Sequence, residues 1–176
     1  MQSLFRHVYC LSISDITIFI FVGTFLYLFL CRKCCPKKQK YIISTILFCA
    51  WIVVILFATI LNRTADTKAI KPVLIPFYSY YLVFTGGEQE LLRSNFMNVV
   101  LFYPAGLLGC ELLPKDWGRV KKVILTAALF ALLSAGIEFC QYHFALGQAE
   151  VDDVIHNTLG AWIGAAVCTL HISKRQ

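Results

Sequence analysis

The chain has 176 residues and a formal net charge of +6, and 59% of its residues are hydrophobic while only 15% are charged. Soluble domains carry about 45–50% apolar and about 25% charged residues, so this composition is atypical of a water-soluble protein. The Lys and Arg residues stand beside hydrophobic runs and are not interleaved with stacking aromatics, which argues against nucleic acid as a partner. The composition therefore predicts an integral membrane protein.

Five hydrophobic runs are long enough to cross a bilayer as helices, which takes about 17 to 25 residues. In chain order they cover roughly residues 15–31, 41–61, 96–113, 123–144 and 154–172. We therefore predict an all-α integral membrane protein with about five transmembrane helices, located in the plasma membrane. Residues 1–40 are expected to form an N-terminal anchor helix with a basic linker, and residues 41–172 the main membrane domain.

Most of the Lys and Arg residues fall into three groups, which lie in the linker 32–40, in the connection 115–122 and at 174–175. With five spans, all three groups are on the same side, and the positive-inside rule makes that side cytoplasmic. The turn 145–153 carries acids and no Lys or Arg, and it lies on the opposite side. The predicted topology has the N-terminus outside and the C-terminus in the cytoplasm.

Residues 72–84, PVLIPFYSYYLVF, are apolar and aromatic but cover only about 20 Å as a helix. If they formed a sixth span, the basic connection 115–122 would move to the outside and contradict the charge rule. We therefore predict a short re-entrant or interfacial segment on the outer face. An amphipathic surface segment without a functional role is the alternative.

Polar residues within the predicted spans collect in the outer half of the membrane. Glu138 and Gln141 share one face of the fourth span, Asp153 and Asn157 begin the fifth, and Asn98 begins the third. An acid in the hydrocarbon layer costs about 2.5–3.5 kcal/mol on insertion scales, so such residues face a partner or a wet cavity. We predict an outward-facing polar cavity, although the same residues could serve only as hydrogen-bonding contacts between helices.

The segment 72–84 is expected to roof this cavity through Pro76 and Phe77. Gly160 and Gly164 form a small-xxx-small pattern, which is expected to bring the fourth and fifth helices together, and Gly106 lies in the middle of the third helix as a further packing position.

A metal site would need a dense set of ligands, and the chain offers only scattered ones. Asp153 and His156 have helical spacing, whereas His143 and Glu138 are separate, so the sequence predicts no metal site and no cofactor.

Taken together, four motifs and one arginine resemble the VanZ-like family of small bacterial membrane proteins. The resemblance runs from about residue 45 to 170 and rests on Arg63 after a span, LIPF at 74–77, NVVLFYPAG at 98–106, EFCQ at 138–141 and DDVIHNTLGAWIG at 152–164. It implies reduced susceptibility to teicoplanin, a lipid-tailed glycopeptide that acts on the outer face. The family usually has Gly-Arg before the next acid, whereas Gly147 is followed here by Gln148. Arg63 or Arg93 could replace the missing basic residue.

The sequence leaves three functions open. In the first, the cavity binds or alters an envelope amphiphile, such as a membrane lipid, a lipid-linked cell-wall intermediate or the lipoglycopeptide, using Arg63 and the polar cluster. In the second, the protein is a membrane-embedded enzyme in which Glu138 and Asp153 carry out acid/base chemistry on a lipid-linked envelope substrate. In the third, the polar residues only hold the helices together.

Overall fold

The computed structural model describes residues 36–61, 63 and 71–173, together with the isolated positions 22 and 24. The predicted first span at 15–31 and most of the basic linker 32–40 therefore lie outside the described residues. The described chain is helical, as predicted. Its elements are α1 (Lys37–Leu56), which continues as a π-helical turn (Phe57–Leu61), α2 (Tyr78–Gly86), α3 (Glu90–Leu112), α4 (Arg119–His143) and α5 (Val151–Ser173).

Two of the described helices are long and apolar enough to cross a membrane. They are Lys38–Leu61, which joins α1 to the π turn, and Arg119–His143, which is α4. Helices α3 and α5 have 23 residues each, about 35 Å, but they include amides, acids and glycines that lower their hydropathy. The number of spans and the orientation therefore remain predictions.

Helices α3 and α5 form the closest pair in the bundle, because glycines remove the side chains that would separate them. A Cβ atom on Gly160 would overlap the carbonyl oxygen of Val99, and one on Gly164 would overlap that of Tyr103. Gly106 faces back from α3 against the backbone of Ala161. The sequence-based expectation that Gly160 and Gly164 join the fourth and fifth helices is wrong in its partner, since these glycines meet the third.

The apolar core joins α1, α3, α4 and α5. Trp51 is fully buried and its indole N–H donates to the carbonyl oxygen of Leu101 at 2.6 Å, which attaches α1 to α3. Phe102 packs edge-on against Phe130 with ring centroids 6.0 Å apart, and this contact links α3 to α4. Ile137 and Ala161 complete the cluster from α4 and α5.

The alternating directions of the helices give the bundle two chemically different ends. At the first, which we call the acidic end, α1 and α4 finish, while α3 and α5 begin. At the second, the basic end, Lys40 of α1 pairs with Glu111 of α3 at 3.1 Å, and Lys122 of α4 donates to the carbonyl oxygen of Leu113.

The segment 72–84 folds as an extended stretch followed by the short helix α2. Val73 forms a parallel bridge with Glu150, with backbone hydrogen bonds of 2.9 and 3.0 Å to Ala149 and Val151. Helix α2 has nine residues and is about 14 Å long, too short to cross a bilayer. Several apolar side chains of this segment are exposed, including Leu74 and Ile75 before α2 and Phe84 within it.

Candidate functional site

The carboxylate of Glu138 lies at the acidic end, where the last turns of α4 meet the loop that leads into α5. Only 8% of the residue is exposed. One carboxylate oxygen accepts the backbone N–H of Glu150 at 3.0 Å. The bridge between Val73 and Glu150 holds this loop, so the position of Glu138 depends on the segment before α2 as well as on α4.

The other predicted polar residues lie at the same end and bond across helix boundaries. Asn98 of α3 donates its amide to the carboxylate of Asp153 on α5 at 2.7 Å. Asn157 of α5 donates to the hydroxyl oxygen of Ser134 on α4 at 2.9 Å. The cluster therefore contributes to helix packing, whatever else it does.

Gln141 connects α4 to the end of α1. Its side-chain amide donates to the carbonyl oxygen of Thr59 at 2.9 Å. Thr59 lies in the π turn, where the last carbonyls of the helix have no partner within it, so Gln141 satisfies one of them. A carbonyl oxygen can only accept, which fixes the amide nitrogen of Gln141 toward Thr59 and its oxygen away from it.

Arg63 supplies a positive charge to this cluster. Its guanidinium lies against Gly147, where a side chain on that glycine would collide with it, and Gly147 also has a φ of 148°, which glycine tolerates. Arg63 interacts electrostatically with the carboxylates of Glu138, Glu150 and Asp153. Arg93, the other candidate for the missing loop arginine, forms an exposed pair with Glu90 at 3.7 Å.

Glu150 shows how strongly acidic this end is. Burial raises the pKa of Glu150 above its usual value, and the neighbouring charges of Asp153 and Asp152 raise it further, while Arg63 opposes the shift. Among the described residues, the guanidinium of Arg63 interacts favourably with all three carboxylates of Glu138, Glu150 and Asp153, and His156 also interacts favourably with Asp153. The cluster is poor in positive charge.

A cavity of about 280 Å³ opens beside Glu138, and we call it the Glu138 cavity. Glu138 and Glu150 line it, and the rest of its wall is mostly apolar: Pro72, Leu74, Ala135, Phe139, Val151 and Val154. Its volume lies just below the roughly 300–1,000 Å³ found for small-molecule sites. The rim carries exposed apolar side chains, with Leu74 73% and Phe139 67% exposed.

Pro76 and Phe77, the residues expected to roof the polar cluster, do not line the Glu138 cavity. Pro76 and Phe77 lie in the turn before α2, and the wall of the Glu138 cavity is built instead by Pro72 and Leu74, four and three residues earlier. Phe77 has a left-handed φ of 61°, which turns the chain into α2. The segment 72–84 thus reaches this cavity through its extended part, by Pro72 and Leu74.

Asp152 is a residue that the sequence reasoning did not single out, and it docks α2. It is only 2% exposed, and its carboxylate accepts the backbone N–H groups of Phe77 and Ser79 and the hydroxyl of Ser79. Asn95 of α3 adds a bond to the same hydroxyl at 2.9 Å. A carboxylate at a helix N-terminus satisfies unpaired N–H groups and interacts favourably with the helix dipole. The sequence gave only a weak indication of this role, which is the doublet of Asp152 and Asp153. Adjacent residues of a helix point to different neighbours, so two adjacent acids can have different contacts.

His156 links the same two elements. One ring nitrogen meets the backbone carbonyl oxygen of Asp152, and the other lies 2.8 Å from the hydroxyl of Tyr80. Both nitrogens are therefore engaged in hydrogen bonds. Within the described part of the chain, no group of three or more His, Cys, Asp and Glu side chains is placed to hold a metal ion.

Comparison with known proteins shows the family to which the chain belongs. The chain is 35% identical over 80 residues to Protein VanZ of Enterococcus faecium, an alignment that covers 46% of this chain and 44% of that protein, so it spans less than half of the relative's length. No solved structure matches the chain. The VanZ/LLP1 family profile matches residues 41–172, which is most of the chain, and the chain therefore belongs to the VanZ/LLP1 family.

Proposed function

We propose that this protein is a multi-pass plasma-membrane protein that reduces susceptibility to teicoplanin-type lipoglycopeptides by binding or altering an envelope amphiphile at its acidic end. The observation that carries the proposal is the Glu138 cavity, where an apolar wall meets a buried carboxylate. An amphiphile needs both parts, because its chain seeks an apolar surface and its head group needs polar partners. Family membership supports the same direction.

The charge distribution supports an outward orientation of the cavity. Lys115, Arg119 and Lys121 lie in or beside the connection between α3 and α4, at the end of the bundle opposite to Glu138. Short basic connections stay in the cytoplasm, so the acidic end faces outward. The exposed apolar rim at Leu74 and Phe139 would then lie in the outer leaflet, where a lipid chain can enter sideways.

The test is drug susceptibility in a sensitive Gram-positive host that expresses the protein or carries an empty vector. We expect the wild-type protein to raise the inhibitory concentration of teicoplanin and to leave that of vancomycin unchanged, since the proposed cavity responds to a lipid tail. Glu138→Gln at the same membrane level should lose the protection. A well-expressed wild type that gives no protection would overturn the drug role.

The proximity of two acids favours a second candidate function, a membrane-embedded enzyme. Glu138 and Asp153 interact electrostatically, and two interacting carboxylates of unequal environment suit an acid and a base. The two candidates differ in Glu138→Gln. For an enzyme, the variant should still bind the amphiphile but lose protection, whereas for a binding protein affinity and protection should fall together.

A further inference from the structure

A second cavity of about 300 Å³ lies where the end of α1 faces the first half of α3, and we call it the Arg63 cavity. Its wall combines apolar side chains, among them Ala58, Met97 and Leu101, with the side chain of Arg63. Arg63 and Met97 are exposed, whereas Trp51, which also lines the cavity, is fully buried. The cavity is therefore open beside Arg63 and closed beside Trp51.

The hydrogen-bond donors in this wall are unequally used. Three of them already have acceptors within the protein, namely the indole of Trp51, the hydroxyl of Thr59 and the amide nitrogen of Asn98. The guanidinium of Arg63 carries five N–H donors and a permanent positive charge. No residue within the described ranges forms a hydrogen bond or an ion pair with it. The open end of the cavity thus offers unused donors and a fixed positive charge.

The neighbouring carboxylates leave these donors available. Glu138, Glu150 and Asp153 interact with Arg63 electrostatically, but none of them lines the Arg63 cavity. Asp153 accepts the amide of Asn98, and Glu138 accepts a backbone N–H, so both have donors of their own. An anion in contact with the guanidinium would make the short pairing that these acids lack, while they repel it from farther away.

Away from its open end, the cavity continues as an apolar groove along the helix that ends in the π turn. Thr59 and Trp51, two of its wall residues, are eight positions apart on this helix, about 12 Å. Ala58 leaves room between them because its side chain is a single methyl group, and Leu101 belongs to the wall on α3. The helix Lys38–Leu61 is long and apolar enough to cross a membrane, and in a membrane the groove would lie among alkyl chains.

From these observations we propose that the Arg63 cavity binds an amphiphile with an anionic phosphate head group. The phosphate would pair with the guanidinium, which can form two parallel hydrogen bonds with such a group. The alkyl chain would lie in the groove beside Ala58 and end near Trp51. This site goes beyond the proposed function, because the walls of the Arg63 cavity and the Glu138 cavity share no residue among those that the structure describes.

The experiment measures contact between Trp51 and an alkyl chain. Trp117→Phe and Trp162→Phe leave Trp51 as the only tryptophan of the full chain, which is placed in nanodiscs of a lipid without net charge. The probes are dodecyl phosphate and dodecanol, both brominated on the chain, since bromine quenches tryptophan fluorescence only at short range. We expect saturable quenching by the phosphate probe and about tenfold weaker binding of the alcohol. Inorganic phosphate, the head group without a chain, should not displace the probe.

Two substitutions test the head group and the groove separately. Arg63→Gln should weaken binding of the phosphate probe about tenfold, a loss of about 1.4 kcal/mol. Arg93→Gln is the matched control, because Arg93 is exposed at the same end, pairs with Glu90 at 3.7 Å and is not part of the cavity wall. If Arg63→Gln fails to assemble, Ala58→Leu replaces it, since the larger side chain fills the groove and should abolish saturable quenching.

The repulsion from the acids tests the sign of the ligand's charge. Asp153→Asn keeps a side-chain oxygen for the bond from Asn98 but removes one negative charge that interacts with Arg63. Binding of the phosphate probe should therefore become about threefold tighter. For a cationic ligand, the same substitution would weaken binding.

Each outcome decides the inference. Equal quenching by the alcohol, displacement by inorganic phosphate, or binding that Arg63→Gln and Ala58→Leu leave unchanged would overturn it, and so would weaker binding to Asp153→Asn. If the phosphate probe binds at Trp51 but the wild type gives no protection against teicoplanin, the inference stands and the proposed function fails. If the wild type protects cells but the phosphate probe does not quench Trp51, the proposed function stands and the inference fails.

Discussion

At the scale of single residues, two adjacent acids have different tasks. Asp153 accepts a hydrogen bond from Asn98 and interacts electrostatically with Glu138 and Arg63, whereas Asp152 accepts hydrogen bonds at the start of α2. Helix α2 has nine residues, fewer than the roughly 12–15 that an isolated helix needs to be stable in water. Its order therefore depends on outside contacts, of which the Asp152 carboxylate supplies several.

Replacing Asp152 by Ala should release α2 while the rest of the bundle stays folded. Loss of a helix-capping group costs about 1–2 kcal/mol, which corresponds to a ~5–30-fold larger opening constant. Hydrogen exchange followed by mass spectrometry should show faster exchange in Tyr78–Gly86 and unchanged exchange in α3. Asp116→Ala, at an exposed acid of the turn between α3 and α4, is the control. Unchanged exchange in α2 of the Asp152 variant would show that this carboxylate does not dock the helix.

Much of the acidic end could be predicted at this scale, and the reason is the cost of burying polar groups. Glu138, Gln141 and Asn157 stood out because an acid or amide in an apolar run needs a partner. Their actual partners could not be predicted, since Thr59 and Ser134 are small residues that are common in any helix. The position of Arg63 in the cluster could not be predicted either. Its guanidinium lies against Gly147, and this contact exists only once the loop is folded.

At the scale of helices, the closest contact in the bundle is a backbone contact between α3 and α5. Gly160, Gly164 and Gly106 mark this contact from both sides. The sequence pattern singled out these glycines but could not give the helix that they contact, because neighbours along the chain are not always the closest neighbours in space. Helices α1 and α4 are the more apolar helices, although only 28% of each spanning window is buried inside the protein.

Alanine substitutions should change stability in opposite directions at glycines in this contact and at glycines elsewhere. Gly160→Ala places a methyl group into the backbone at Val99 and should destabilise the bundle by about 1–3 kcal/mol, as overpacked cores do. Gly136→Ala on α4 has open space around it and should stabilise the helix by about 0.5–1 kcal/mol. Thermal unfolding of both variants in the same detergent measures the difference. A Gly160→Ala protein as stable as Gly136→Ala would contradict the close packing of α3 on α5.

At the scale of the whole molecule, the two ends of the bundle have opposite chemistry. The basic end holds Lys40 and Lys122 with the connection between α3 and α4, and the acidic end holds Glu138, Asp153 and the loop before α5. This asymmetry was readable from the sequence, because charges cluster between hydrophobic runs. The path of residues 71–77 could not be predicted from the sequence, because an extended stretch that pairs with a loop has no hydrophobic periodicity of its own.

The central claim is that an amphiphile occupies the Glu138 cavity and that this occupancy underlies protection. Filling the cavity tests it most directly. Ala135 of α4 lines the cavity, so Ala135→Trp should block the entry of an alkyl chain. Ala128, seven residues earlier on the same helix, is also exposed and is absent from the cavity wall, which makes Ala128→Trp the matched control.

The deciding measurement is the inhibitory concentration of teicoplanin for cells that express wild type, Ala135→Trp or Ala128→Trp at equal membrane levels. We predict that Ala128→Trp protects as well as the wild type and that Ala135→Trp loses protection. If Ala135→Trp protects cells as fully as the wild type, the Glu138 cavity is not where the protein acts.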